Sequence, residues 1–111
     1  MIGGAADPIL ARWIRPGTVL RELTATSAVG VLEEIANDLA RALPGISAAA
    51  LRSAFSEREA LGTTAIGHGF AVPHCRLAGV KSVDLRVALH PSGVAFGAAD
   101  GTPVRVFFVL V

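Results

Sequence analysis

The sequence predicts a single α/β domain spanning residues 1–111, with a mixed β-sheet flanked by helices on both faces. Three observations predict it. The chain has 111 residues, 52% of them hydrophobic and 17% charged, which is enough for one core and too little for two. Two stretches in the first half carry helical spacing of apolar residues, at 27–43 and 47–61. Three stretches in the second half read as strands, at 63–72, 82–90 and 103–111. Helices followed by strands, ending on a strand with no polar face, imply a sheet that needs helical cover on both sides.

Each element has its own warrant. "PILARWI" (8–14) suits a short helix with Pro8 in its first turn, stopped by "RPG". "TVLREL" (18–23) alternates like a strand. "SAVGVLEEIANDLARAL" (27–43) is the clearest helix, with Val29, Leu32, Ile35, Ala36, Leu39 and Leu43 on one stripe and Pro44-Gly45 ending it. Ser47 is placed to cap a second helix that Gly62 closes. "TTAIGHGFAV" (63–72) reads as one Gly-interrupted strand. "SVDLRVALH" (82–90) alternates, with Val83, Leu85, Val87 and Leu89 on one face, and His90 is expected in the turn that follows. "PVRVFFVLV" (103–111) is nearly continuous in β-branched and aromatic residues, the pattern of a strand buried on both faces. Its covering layer is missing from the sequence. The expectation is therefore a chain truncated at its C-terminus, or one that self-associates through the uncovered last strand.

Composition excludes several function classes. Net charge is +1, the basic residues are scattered, Lys81 is the single lysine and tyrosine is absent, which is no footprint for nucleic acid. No apolar run approaches the ~18 residues of a membrane span, so direct membrane insertion is not expected. The N-terminus lacks the pattern of a signal peptide. Cys75 has no partner for an internal disulfide, and the expected location is the cytoplasm.

The chemistry-bearing residues concentrate in "GHGFAVPHCR" (67–76). Proline has no N–H and fixes its own φ, so Pro73 is expected to stop the strand and aim His74 into a loop. Reacting groups in α/β sheets gather beyond the carboxyl ends of strands. An imidazole there suits a nucleophile, a general base or a metal ligand, against the plain alternative of an exposed loop histidine. On an unbroken strand His68, six residues earlier, shares a face with His74. With Cys75 these two sketch a metal cluster, but adjacent strand residues diverge and the set falls short of four ligands. The same divergence works against a Cys75 nucleophile with His74 as its base, leaving a buried structural cysteine as the better reading. Arg58 interrupts the apolar stripe of the second helix between Phe55 and Leu61. It is either a snorkelling side chain or a planar fork of donors for an anion, with the Thr63 and Thr64 hydroxyls close by in sequence. Asp100-Gly101 signals a turn and is given no chemistry. The glycine spacings of nucleotide-binding loops are absent.

The order of these motifs, "SEREALGTTAIGHGFAVPHCR" followed by "VALHPSGVAFGAADGTPVRVFFVLV", resembles the mannitol/fructose-type enzyme IIA domains of the bacterial phosphoenolpyruvate-dependent phosphotransferase system, including their nitrogen-regulatory branch. Glu57, Arg58, Glu59, Gly62, Thr64, Gly67, Gly69, Ala71, Pro73 and His74 match the family's pattern, Ala65 replaces its glycine, and the resemblance covers residues 16–111. It implies a phosphoryl relay without cofactor or metal. His74 would accept a phosphoryl group from a phosphohistidine carrier protein (HPr or its nitrogen-branch analogue). It would then pass the group to an enzyme IIB partner, or hold it as a regulatory state that acts on target proteins. A module that keeps the fold and binds without transfer is a further alternative. The resemblance gives Arg58 the stabilisation of phosphoryl charge, and Thr64 and His68 supporting donor positions. The family also carries a second histidine and a covering helix beyond the last strand, and this chain stops before both. His90 does not occupy that histidine's position.

Overall fold

The computed structural model describes residues 19, 20 and 22–111. The helix expected at 8–14 and its stop at 15–17 lie outside the described residues. Among the described residues two helices, α1 (Ala28–Ala42) and α2 (Ala48–Ala60), precede four strands: β1 (Ala65–Gly67), β2 (Phe70–Ala71), β3 (Leu85–Val94) and β4 (Val104–Leu110). The sheet order is β1-β2-β4-β3, with β2 parallel to β4 and the other pairings antiparallel. The mixed α/β sheet domain expected from the sequence is what forms. At its outer edge Val19, Leu20 and Leu23 run beside β3. Val19 bridges Val87, and the N–H groups of Leu20 and Leu23 donate to the carbonyls of Val87 and Leu89, each at 2.8 Å.

Both helices start where a serine hydroxyl accepts a backbone N–H. Ser27 takes that of Gly30 at 3.1 Å and Ser47 that of Ala50 at 3.0 Å, each satisfying a donor that the first turn leaves free. Helix α1 buries Val31, Leu32, Ile35, Ala36 and Leu39. Val29, expected on that stripe, is 64% exposed. It sits roughly a quarter turn round from the centre of the buried set at 100° per residue, and Val31 takes the inward place. Helix α2 buries only Leu51 and Phe55, one turn apart. The next inward position along it is Arg58.

These residues pack with Ala71, Ala88, Phe107 and Val109 into one core on one face of the sheet. The opposite face follows from register. Leu85, Val87 and Leu89 pair with Leu110, Phe108 and Val106, and Phe70 also pairs with Val106. Phe70 and Phe108 stack with ring centroids 5.9 Å apart, yet each stays 37% exposed. Among the described residues no helix covers this face, so β4 is buried on one side rather than two.

The apolar alternation of β3 is real, but Leu85, Val87 and Leu89 occupy the open face, and Val83 lies outside the strand. Ala88 and His90 point to the core instead. Alternation identifies a face without saying which layer covers it. A small alanine and a fully bonded histidine are what the helices accept there. His90 is accordingly no turn residue: it lies within β3, 7% exposed.

The run at 63–72 also departs from expectation. It folds as a hairpin, because Gly67, His68 and Gly69 all adopt positive φ (93°, 57° and 86°). Glycine takes that conformation freely, while an L-residue such as His68 is strained by about 1 kcal/mol or more. A Cβ on Gly67 would also lie 3.0 Å from Asp100 Oδ2.

Candidate functional site

Past Ala71 the chain keeps to the side of β4. Leu110 N–H donates to the Pro73 carbonyl at 3.0 Å, Cys75 N–H donates to the Leu110 carbonyl at 3.2 Å, and His74 thereby bridges Leu110. The expected stop at Pro73 is only a gap. Proline forfeits one ladder bond and pairing resumes one residue later, so His74 stands on a backbone held in the sheet rather than in a loop.

Its ring is held at both nitrogens. Nδ1 lies 2.8 Å from the Val72 carbonyl, and Nε2 lies 3.1 Å from Arg58 Nε. A carbonyl can only accept and a guanidinium can only donate. Both contacts therefore require one form, the neutral imidazole with its proton on Nδ1 and its lone pair on Nε2. Arg58 is held in turn, its Nη1 donating to the Gly62 carbonyl at 2.9 Å. The residue that breaks the apolar stripe of α2 is thus half-buried, with its charge directed at the one free lone pair of His74.

Thr64, at 5% exposure, does not reach His74. Its hydroxyl donates to Glu59 Oε1 and its N–H to Glu59 Oε2, both at 2.8 Å. Its carbonyl accepts the Val72 N–H at 3.0 Å. His68 is separated from His74 by the hairpin. Its ring is exposed, no hydrogen bond joins it to His74 among the described residues, and its backbone N–H donates to Asp100 Oδ2 at 2.8 Å. The shared face with His74 does not exist, because the strand that would have produced it turns back at 67–69.

Cys75 is half-buried, and burial pushes its thiol up to about 11, so it stays protonated and unreactive near neutrality. Among the described residues no three His, Cys, Asp or Glu side chains converge as a metal site would need. His90 ties the core to its surroundings. Its Nδ1 accepts Gly93 N–H at 2.9 Å and Ser92 N–H at 3.3 Å, which leaves Nε2 to donate to the Ala25 carbonyl at 2.9 Å.

Two residues to which the sequence reading gives no chemistry, Glu59 and Asp100, prove to be anchors. Asp100 accepts the N–H groups of His68 and Thr102. These bonds, that from His68 foremost, hold its carboxyl below the usual 3.8. The Asp-Gly signal disclosed the turn there but not its tie to the hairpin 32 residues earlier. His74, Arg58 and Cys75 open onto a groove of about 610 Å³, where Leu61, Val83 and Arg76 also face it. Leu61 and Val83 are 85% and 61% exposed, an apolar rim around a charged centre.

A mixed four-stranded sheet backed by two helices is a fold already represented among solved structures. The nitrogen regulatory protein IIA-Ntr from Neisseria meningitidis superposes with a TM-score of 0.80 at 30% identity, over 92% of this chain and 69% of that one. Enzyme IIA mannitol in its complex with phosphorylated enzyme IIB mannitol, from Escherichia coli, gives 0.72 at 18% identity, over 88% and 69%, a likeness of fold. Residues 13–111 match the family model of the phosphoenolpyruvate-dependent sugar phosphotransferase system, EIIA 2, and the chain belongs to that family. Among curated relatives, the nitrogen regulatory protein of Pseudomonas aeruginosa is 41% identical over 92% of this chain and 66% of its own length. That of Bradyrhizobium diazoefficiens is 33% identical over 88% and 63%. The chain spans just under two thirds of these relatives. No helix among the described residues is long and apolar enough to cross a membrane.

Proposed function

We propose that this chain is a phosphoryl-relay domain in which His74 Nε2 accepts a phosphoryl group from a phosphohistidine carrier protein. The observation that carries the reading is the enforced tautomer. The Val72 carbonyl holds the proton on Nδ1, so Nε2 carries the lone pair a nucleophile needs, with the Arg58 Nε–H resting on it. As Nε2–P forms, the donor's N–P bond breaks and its electron pair returns to the donor nitrogen. The Nδ1 proton stays where it is, and the cation that develops on the ring is shared with the Val72 carbonyl. Once phosphorus occupies the lone pair, Arg58 Nε–H has no nitrogen acceptor left and turns to the phosphoryl oxygens beside it. Phosphoryl transfer asks a protein for positioning and charge stabilisation more than for covalent help. A held imidazole and one guanidinium supply both.

The apolar rim of Leu61 and Val83 suits docking of a protein donor over a free sugar, and an enzyme IIB domain is the recipient that suits a transport role. The 41% identity to a nitrogen regulatory protein favours a second outlet, in which the phosphoryl state of His74 regulates target proteins by binding. Incubation with phosphoenolpyruvate, enzyme I and each carrier, followed by intact mass, tests the common step. One acid-labile phosphoryl group is expected on the wild type and none on His74→Ala. Labelling retained in His74→Ala, with His68 intact, would overturn the assignment. Addition of an enzyme IIB domain then separates the two outlets by whether the label leaves.

A further inference from the structure

We propose that Glu59 is a positioning residue for the His74–Arg58 pair, acting through its two hydrogen bonds to Thr64. The inference rests on the relay reading for its kinetic consequence but not for its geometry. The bonds around the site close into a circuit. Arg58 Nε donates to His74 Nε2, His74 Nδ1 donates to the Val72 carbonyl, Val72 N–H donates to the Thr64 carbonyl, and Thr64 N–H and Oγ1 donate to Glu59. Glu59 is the covalent neighbour of Arg58 on α2, which closes the ring. Four of its five residues bear on the orientation of one imidazole, and the link most remote from His74 is the Glu59 carboxylate.

That link has a mechanical role. Residues 61–64 connect α2 to β1, and Gly62, whose carbonyl holds Arg58 Nη1, lies within them. Glu59 clamps the far end of this connection against the last turn of α2 with both oxygens. Without the clamp the connection keeps the bonds of the Leu61 and Gly62 N–H groups to the carbonyls of Arg58 and Glu59, and that of the Thr63 hydroxyl to the Phe96 carbonyl. What loosens is its far end, Thr64, whose carbonyl anchors Val72 beneath the imidazole. Misplacing a reacting group by about 1 Å costs on the order of a hundredfold in rate, so a modest loosening is kinetically visible.

The charge of Glu59 is not what the circuit uses. An amide at the same place can accept the Thr64 N–H through oxygen and donate to Thr64 Oγ1 through nitrogen, because a hydroxyl also accepts. Glu59→Gln therefore keeps the tether and Glu59→Ala removes it.

The test measures two things on the wild type, Glu59→Gln, Glu59→Ala and Thr64→Val. The first is the tautomer of His74 in the unphosphorylated protein, read from its ring nitrogens by long-range proton–nitrogen NMR. The second is the single-turnover rate from a phosphorylated carrier as a function of carrier concentration. We expect one Nδ1–H tautomer in the wild type and in Glu59→Gln, and a tautomer mixture in Glu59→Ala. The maximal rate should fall about 10- to 100-fold in Glu59→Ala with an unchanged half-saturating carrier concentration, and stay within about threefold in Glu59→Gln. Thr64→Val, which loses one of the two bonds, should fall between them and carries the test if Glu59→Ala does not fold. A wild-type tautomer and rate in folded Glu59→Ala, or in Thr64→Val where Glu59→Ala does not fold, would overturn the proposal. So would a loss in Glu59→Gln equal to that in Glu59→Ala, since charge rather than tethering would then be at work. If the wild type accepts no phosphoryl group, the relay reading fails, and the tautomer alone judges Glu59.

Discussion

Arg58→Ala is the substitution on which two effects of opposite sign can be weighed. In the resting protein Arg58 Nε donates, at 3.1 Å, to the lone pair that attacks phosphorus in the proposed relay. Its removal frees that lone pair and should help the reaction by the net worth of one hydrogen bond, about 0.5–1.5 kcal/mol. The same removal deletes the guanidinium bonded to the nitrogen at which, in the proposed relay, phosphoryl charge arrives. Losing a fixed electrostatic donor of that kind costs about 2.7–4 kcal/mol. The second effect is larger, and the difference of about 1–3.5 kcal/mol corresponds to transfer slowed about 10- to 400-fold. Stability changes less. The bond from Nη1 to the Gly62 carbonyl is lost with some packing of the stem, about 1–2 kcal/mol, within the margin of an ordinary domain. Rapid-quench transfer from a phosphorylated carrier, paired with a thermal melt, measures both. Transfer at the wild-type rate or faster, with a lowered melting temperature, would refute the charge-stabilising role and leave Arg58 as a side chain that covers core surface.

Three further outcomes follow from the geometry. Phe107→Ala should cost about 3–5 kcal/mol, because Phe107 is fully buried and edge-on to Phe96; Phe108→Ala, on the open face, should cost about 1–2 kcal/mol, and urea melts of the pair separate the two faces of β4. Cys75, at about 11 against an ordinary 9.0, should be alkylated by iodoacetamide about a hundredfold more slowly at neutral pH than an exposed thiol, and Cys75→Ser should leave transfer nearly unchanged. Asp100 has its folded carboxyl held below the unfolded 3.8, first by the His68 N–H, so the stability it adds is present above that value and fades as pH falls through its folded one; the gap in melting temperature between wild type and Asp100→Ala should be full at neutral pH and close in acid.

Much of the fold was legible because its signals are local. The apolar stripe announced the first helix and Ser47 the start of the second, Pro44-Gly45 and Gly62 their ends, and "VRVFFVL" an inner strand. The misreadings share a cause. Val29 lies on the apolar stripe yet is exposed, and the apolar face of β3 is the open one, because which face of a helix or strand is covered depends on what packs there. His90 failed in the other direction: a polar residue before "PSG" looks like a turn, yet two N–H groups and one carbonyl satisfy its ring and let it sit in the core. The hairpin was masked by alternation. Glycines on either side of His68 are the composition of a turn with positive φ, and a strand reading treats them as mere interruptions.

The site divides along the same line. His74 and Arg58, sixteen residues apart, were both visible as residues out of keeping with their surroundings, and the family pattern paired them. What orients them is carried by the carbonyls of Val72, Gly62 and Thr64, and a backbone carbonyl has no letter in a sequence. This is also why the tautomer of His74 should withstand replacement of the Val72 side chain while depending on Glu59, which touches neither ring nor guanidinium. A sequence narrows the candidates for reacting atoms, since chemistry restricts which residues can supply them. The scaffold that aims those atoms is built from groups every residue owns, so only their placement in space distinguishes it. In this chain that placement runs from one carboxylate on α2, through the backbone of Thr64 and Val72, to a single imidazole.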